Sequence, residues 1–321
     1  ITTKRAIEYV DQQRGLDRQM VIDFKIGYAP KTGHELRDFL VSKQFTDNEI
    51  REAGLVGSRG NDLFRDRMVV PLSDTQGQVI GFTARLIAEV KDAPKYINTP
   101  QTLLYDKGRH VFALAQAKEA IRSNGYAVLV EGNLDVISSH QIGIHQVVAT
   151  AGTALTEHHL KALSRLSNNV RLCFDGDKAG IAATERAIPI AETVGVELSV
   201  ITLPSDFKDP DELIKHDPKL WESVIDSHQP AIEWVIDQYA ERYDLTSAAG
   251  KRDLTTKAFD LIRLLKDPVE QEHYLDRIAE VTGTSRRALE GKLSRTVTKA
   301  PERRLKPMHV QPSTGHDPEV H

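Results

Sequence analysis

The chain has 321 residues, 40% hydrophobic and 27% charged, an ordinary globular composition whose length favours two or more domains over one core. No apolar run approaches the ~20 residues of a membrane span, no signal-peptide succession opens the chain, and the lone Cys173 excludes an internal disulfide and a cysteine zinc site, which together point to the cytoplasm. The net charge of −4 is unevenly spread, with 19 Lys+Arg against 16 Asp+Glu over 1–125, 9 against 19 over 126–245, and 14 against 11 over 246–321. An acidic middle between mildly basic flanks reads either as a solvated surface or as a metal-binding centre beside a basic face for a polyanion.

Residues 1–60 look helical. Thr2 or Thr3 can cap a helix carrying Ile7 and Val10, which Gly15 ends. A second helix is predicted over 16–24, followed by a turn at Gly27-Tyr28-Ala29-Pro30. A third spans 34–43, with Leu36, Phe39 and Leu40 on one face, and a fourth opens at 46 with the capping-box pattern Thr46-Asp47-Asn48-Glu49. Two β-rich runs, 67–72 and 78–86, flank a turn at 73–77 and predict a hairpin. Residues 91–110 read as a long polar loop, and 111–123 as a helix.

From 126 a regular alternation begins. Strands are predicted at 126–130, 146–150, 170–174 and 197–203, with helices at 134–140, 157–166 and 179–194 between them. Near-continuous apolar strands alternating with helices imply a parallel sheet covered on both faces. Residues 213–293 read as helices broken at Pro218, Pro230, Gly250 and Pro268, and 294–321 as a disordered tail. Cys173 reads as a buried structural thiol, His158 and His159 as surface residues, and Trp221 and Trp234 as packing anchors.

Sites in open parallel sheets form outside the carboxyl ends of the strands. Acidic residues fall there three times: Glu131 after the first strand, Asp175 and Asp177 after the third, Asp209 and Asp211 after the fourth. Any one of them suits a turn or a helix cap. Five carboxylates on one edge suit hard divalent cations such as Mg²⁺ or Mn²⁺. Two such ions can activate a 3′-hydroxyl and stabilise a pyrophosphate leaving group.

Three segments, Val130-Glu131-Gly132-Asn133-Leu134-Asp135-Val136, Phe174-Asp175-Gly176-Asp177-Lys178-Ala179-Gly180 and Asp209-Pro210-Asp211-Glu212-Leu213, resemble the Toprim motifs of DnaG-type primases. Upstream, Arg65-Asp66-Arg67-Met68, Gly81-Phe82, Pro94-Lys95-Tyr96-Ile97-Asn98-Thr99-Pro100 and Lys107-Gly108 resemble the primase N-terminal lobe, and the likeness runs over roughly 1–293. It implies an α/β fold: a Toprim-type parallel sheet flanked by helices, with an N-terminal mixed α+β lobe and a C-terminal helical subdomain. The boundaries expected are 1–125 for the basic lobe, 126–212 for the metal-binding catalytic domain, 213–293 for the helical subdomain and 294–321 for a tail or linker.

The resemblance implies a DNA-dependent RNA polymerase making short primers on single-stranded DNA from ribonucleoside triphosphates. Glu131, Asp175 and Asp177 would be catalytic. Glu131, Asp175, Asp177, Asp209 and Asp211 would hold Mg²⁺ or Mn²⁺, supported by Asp135. Arg65, Arg67, Arg85, Lys95 and Lys107 would bind nucleotide or DNA. A Toprim nuclease or other metal-dependent DNA-processing enzyme is the alternative, and a non-catalytic scaffold a third; the lobe pattern at 65–108 separates them. Asn133 departs from the family's usual aromatic. The family's zinc domain and its helicase-binding domain are both expected to lie outside this chain, which is read as an excised or truncated monomeric core that primes weakly alone and meets the replicative helicase only through the missing part.

Overall fold

Residues 3–88, 90–174 and 177–295 are described by a computed structural model of the protein. The tail expected to be disordered lies outside them beyond residue 295, as do Asp175 and Gly176.

The first part is a mixed lobe. It opens with α1 (Lys4–Glu8), which passes into a π-helical turn (Tyr9–Gln13), then α2 (Arg18–Asp23) capped by the Asp17 carboxylate. Of the two threonines offered as caps, Thr2 lies outside the described residues, and Thr3 occupies the cap position of α1 without a side-chain bond. Most of the turn expected at 27–30 is instead strand β1 (Gly27–Ala29), because its backbone pairs with a partner strand about 40 residues on. Helices α3 (Glu35–Ser42) and α4 (Asp47–Glu52) follow, and α4 begins with the predicted box: Glu49 N–H donates to Thr46 Oγ1 at 3.3 Å and Thr46 N–H to Glu49 Oε2 at 2.7 Å. The hairpin is present as β2 (Arg67–Ser73) and β3 (Val79–Leu86). Within the expected loop lies a further strand, β4 (Tyr96–Asn98), which pairs Asn98 with Thr83 and Tyr96 with Arg85. The four strands form an antiparallel sheet in chain order.

After α5 (Leu114–Asn124) the chain alternates through β5 (Ala127–Val130), α6 (Asn133–Gln141), β6 (Val147–Ala149), α7 (Glu157–Ser164), β7 (Asn169–Cys173), α8 (Lys178–Val194) and β8 (Glu197–Ile201). Next come α9 (Pro210–His216), α10 (Pro218–Asp226) and the short β9 (His228–Pro230). The sheet order is β6-β5-β7-β8-β9, parallel except for β9. Strand β5 is buried on both sides. Its Val128 and Val130 pack with Met20, Phe24 and Leu72 of the first lobe, while Ala127 and Leu129 pack with Ile121, Leu160 and Ala187 of the helices on the other face. Adjacent residues of a strand point to opposite faces, so one four-residue run joins two cores.

Helices α11 (Ala231–Arg242), α12 (Ala248–Ile262), α13 (Pro268–Thr282) and α14 (Arg286–Arg295) form a third core, with Trp234, Phe259 and Ile278 buried against Ile188 of α8. Both tryptophans are buried and bonded: Trp221 Nε1 donates to Ser139 Oγ and Trp234 Nε1 to Thr202 Oγ1. Cys173 is a buried thiol. His159, expected at the surface, is fully buried; its Nδ1 accepts from Thr156 N–H, and its other nitrogen lies 3.2 Å from the Lys107 carbonyl. No helix among the described residues is long and apolar enough to cross a membrane.

Candidate functional site

The acidic residues gather where the strands end. Glu131 directly follows β5. Gly132 comes next, and a Cβ there would sit 2.6 Å from Asp135 Oδ2, so only glycine lets the Asp135 carboxylate fold back to accept the Gly132 N–H at 3.1 Å. Asp177 caps α8, accepting from the Ala179 and Gly180 N–H groups at 2.8 Å each. Asp209 caps α9, accepting from Glu212 N–H at 2.8 Å with Pro210 as the first helical residue. Asp211 is buried, accepts from Ser138 Oγ at 2.5 Å and Lys215 Nζ at 2.7 Å, and donates its own N–H to Asp135 Oδ1 at 3.2 Å. Asp135 and Asp211 thus lock α6 to α9.

Burial raises the Asp135 carboxyl to about 7, helped by the negative charges of Asp209 and Asp211 and opposed by the Asp211 and Gly132 N–H groups. Such an accumulation of carboxylates is relieved by a cation. The donors are oxygen only, which fits Mg²⁺ or Mn²⁺ and not a soft metal. Among the described residues no group of three or more His, Cys, Asp or Glu could by itself hold a metal ion. The carboxylates instead form an open rim, which suits an ion held by one or two carboxylates that keeps several waters.

Glu131, Asp135, Asp209 and Asp211 line one cleft of about 560 Å³. Glu131 and Asp177 line a neighbouring one of about 500 Å³, so Glu131 stands on the divide between them. Asp175 lies outside the described residues.

The first cleft has a basic wall. Arg85 of β3 and Lys95, just before β4, both line it, together with Arg14, Tyr96 and Asn98. Arg85 Nε donates to the Tyr9 hydroxyl at 2.8 Å and its NH1 to the Tyr96 hydroxyl. The other three predicted basic residues are elsewhere. Arg65 and Lys107 are exposed but not among the residues lining this cleft. Arg67 is corrected from the basic face to the interior: only 4% exposed, its guanidinium donates to the carbonyls of Pro94 (2.8 Å) and Lys95 (3.1 Å), bracing from behind the segment that carries Lys95.

Asn133 crosses between the two lobes. Its Nδ2 donates to Thr83 Oγ1 at 3.1 Å, and its buried Oδ1 has no partner among the described residues. Sequence reasoning missed Arg14, Tyr9, Ser138 and Lys215. Lys215 had a signal, lying four residues after Asp211 on one helix. Arg14 had none, because its placement depends on the π-helical turn.

Residues 1–118 match the family model of the DNA primase catalytic core, N-terminal domain; 128–214 match a Toprim-like model; 232–287 match the DnaB-helicase binding domain of primase. The third match corrects the expectation that no helicase-binding segment lies in the chain: that segment was sought in the polar residues after 293, whereas the match falls on helices α11 to α13, whose apolar faces are buried in the third core. A DNA primase from Synechococcus elongatus is 36% identical over 288 residues, covering 86% of this chain and 41% of that one. The chain spans about half the length of such curated relatives. The crystal structure of a DNA primase domain from Pseudomonas aeruginosa superposes with a TM-score of 0.76 at 32% identity, covering 91% of this chain and 92% of that one. A DnaG primase catalytic domain bound to ssDNA gives 0.76 at 30% identity, covering 87% and 89%. On the sheet, the acidic edge and these likenesses together, the chain belongs to the DnaG-type DNA primase family and corresponds to its Toprim-containing catalytic core.

Proposed function

We propose that the chain synthesises short RNA primers on single-stranded DNA from ribonucleoside triphosphates, with Mg²⁺ or Mn²⁺ held by Glu131, Asp175, Asp177, Asp209 and Asp211 and with Asp135 supporting that site. The observation that carries this proposal is the single cleft in which carboxylates from two strand ends face Arg14, Arg85 and Lys95. Opposed acidic and basic walls suit a nucleoside triphosphate, whose phosphates need cations and whose reacting centre needs metal. The match of 1–118 to the N-terminal domain of the primase catalytic core favours priming over a Toprim nuclease.

The residues divide the work. Arg85, Lys95 and Arg14 bind and orient the triphosphate. Arg65 and Lys107, exposed outside the cleft, contact template phosphates, which gives affinity with little sequence preference. Arg67 holds the Lys95 segment in place. A bound divalent cation supplies charge neutralisation of the phosphates and activation of the primer 3′-hydroxyl. The 3′-oxygen attacks the α-phosphorus, the bond to the β-phosphate bridge breaks, pyrophosphate leaves, and Glu131 takes up the hydroxyl proton. Asp135 and Asp211 hold α6 and α9 so that Glu131 and Asp209 keep their relative positions. The proposal includes a cytoplasmic monomer whose 232–287 segment meets the replicative helicase.

The test is ribonucleotide incorporation on single-stranded DNA with Mg²⁺. The chain should make short RNA, and Glu131→Gln should reduce synthesis by about 100-fold or more with an unchanged unfolding midpoint. Efficient DNA cleavage with no RNA product would overturn the proposal.

A further inference from the structure

Arg14 and Arg85 donate through Nε to the same acceptor, the Tyr9 hydroxyl, at 3.0 and 2.8 Å. Tyr9 is 4% exposed, so the phenol is a fixed post rather than a mobile surface group. A phenolic oxygen has the lone pairs to accept both donors. Two like charges on one oxygen repel, and an anion lying across both relieves that repulsion. The remaining guanidinium N–H groups have the planar fork geometry that matches phosphate oxygens.

The backbone explains how Arg14 gets there. Tyr9 and Arg14 are five residues apart, which in an α-helix places side chains about 140° apart around the axis. Here the chain is π-helical from Tyr9 to Gln13, and Arg14 N–H donates to the Tyr9 carbonyl at 3.0 Å, an i to i+5 bond. The wider turn brings the two side chains onto one face, and the Arg14 guanidinium lies 5.2 Å from the Tyr9 ring centre. Arg85 arrives from β3 and is held on its other side by Tyr96, whose ring centre is 5.0 Å away.

We propose that Tyr9 is a positioning residue whose hydroxyl holds Arg14 and Arg85 side by side as a preformed clamp for the polyphosphate of the incoming nucleotide. This rests on the cleft being the nucleotide site, and it adds a group that touches no substrate.

Tyr9→Phe keeps the ring, its packing and the π-helical turn, and removes only the shared acceptor. In the intact chain with Mg²⁺, the nucleotide KM should rise about tenfold while kcat stays within about twofold, and inorganic tripolyphosphate should bind about tenfold more weakly. Arg14→Lys should also weaken tripolyphosphate binding, and the two changes together should cost little more than either alone, because both undo one arrangement. Unchanged tripolyphosphate affinity in Tyr9→Phe, or strictly additive effects in the double variant, would overturn the clamp, as would a lower unfolding midpoint with an equal fall in kcat. The tripolyphosphate measurement needs no primer synthesis. A wild-type chain that makes no RNA yet shows the Tyr9-dependent binding contradicts the primer proposal and leaves the clamp standing.

Discussion

The Asn133 amide on α6 donates to the Thr83 hydroxyl on β3 at 3.1 Å, bonding the parallel-sheet half to the antiparallel lobe across the edge of the acidic cleft. Both residues are buried, so the bond is shielded from water. A second amide makes a similar crossing, Asn98 Nδ2 to the Ala151 carbonyl at 3.0 Å. Thr83→Val keeps the shape and removes the acceptor, leaving the Asn133 amide buried with neither end paired. It should cost about 1–2 kcal/mol, and a double-mutant cycle with Asn133→Ala should return a coupling of about 1 kcal/mol in urea unfolding. A coupling near zero would mean the two lobes do not gain stability from this bond.

Acid should weaken the fold through two buried histidines. Burial pushes both His110 and His140 down to about 4, with His159 adding to the effect on the first and His145 on the second. The unfolded chain takes up these protons near 6.5, the folded chain only near 4, so between those values the unfolded state binds more protons. The stability is fully present above pH 6.5 and is lost as pH falls toward 4, by up to about 3 kcal/mol for each histidine. His140 bonds the Val147 carbonyl at 3.0 Å, a bond glutamine can also donate. Urea midpoints for His140→Gln should therefore fall less between pH 7 and 4.5, the difference being about 2 kcal/mol. An identical pH slope in variant and wild type would assign the acid sensitivity to other groups.

Lys215 pairs with Asp211 in the acidic cleft, with Nζ 2.7 Å from Oδ2. Its side chain is 37% exposed, so the pair is partly screened and contributes about 1 kcal/mol. Lys215→Met should bind Mn²⁺ about fivefold more tightly by calorimetry and melt lower in the presence of a chelator, with added Mg²⁺ restoring the difference. Equal Mn²⁺ affinity would show that the lysine and the metal do not share Asp211.

The parts of the fold visible in the sequence were those that local patterns specify. Ala127-Val128-Leu129-Val130 is apolar at every position because both faces are covered, and that run declared the sheet and put Glu131 at its edge. Asp177 and Asp209 were visible for a double reason, since the same carboxylate caps a helix and faces a cleft or its rim. What stayed hidden depends on partners distant in sequence. Strands β1 and β4 have three residues each and exist only through their pairing with β2 and β3. Arg67 carries the charge of a surface residue but spends it on two backbone carbonyls. Arg14 needed the π-helical turn, which no residue pattern marks. The segment matched as helicase-binding is an ordinary set of amphipathic helices in composition, so periodicity revealed the helices and not their kinship.

The most direct test of the central claim is to locate Mn²⁺ by anomalous scattering in crystals of the intact chain. Manganese is expected within about 2.0–2.3 Å of carboxylate oxygens of Glu131 and of Asp177 or Asp209, at the carboxyl edge of the parallel sheet. Manganese bound elsewhere, or an acidic edge left empty at millimolar Mn²⁺ with the nucleotide present, would contradict it.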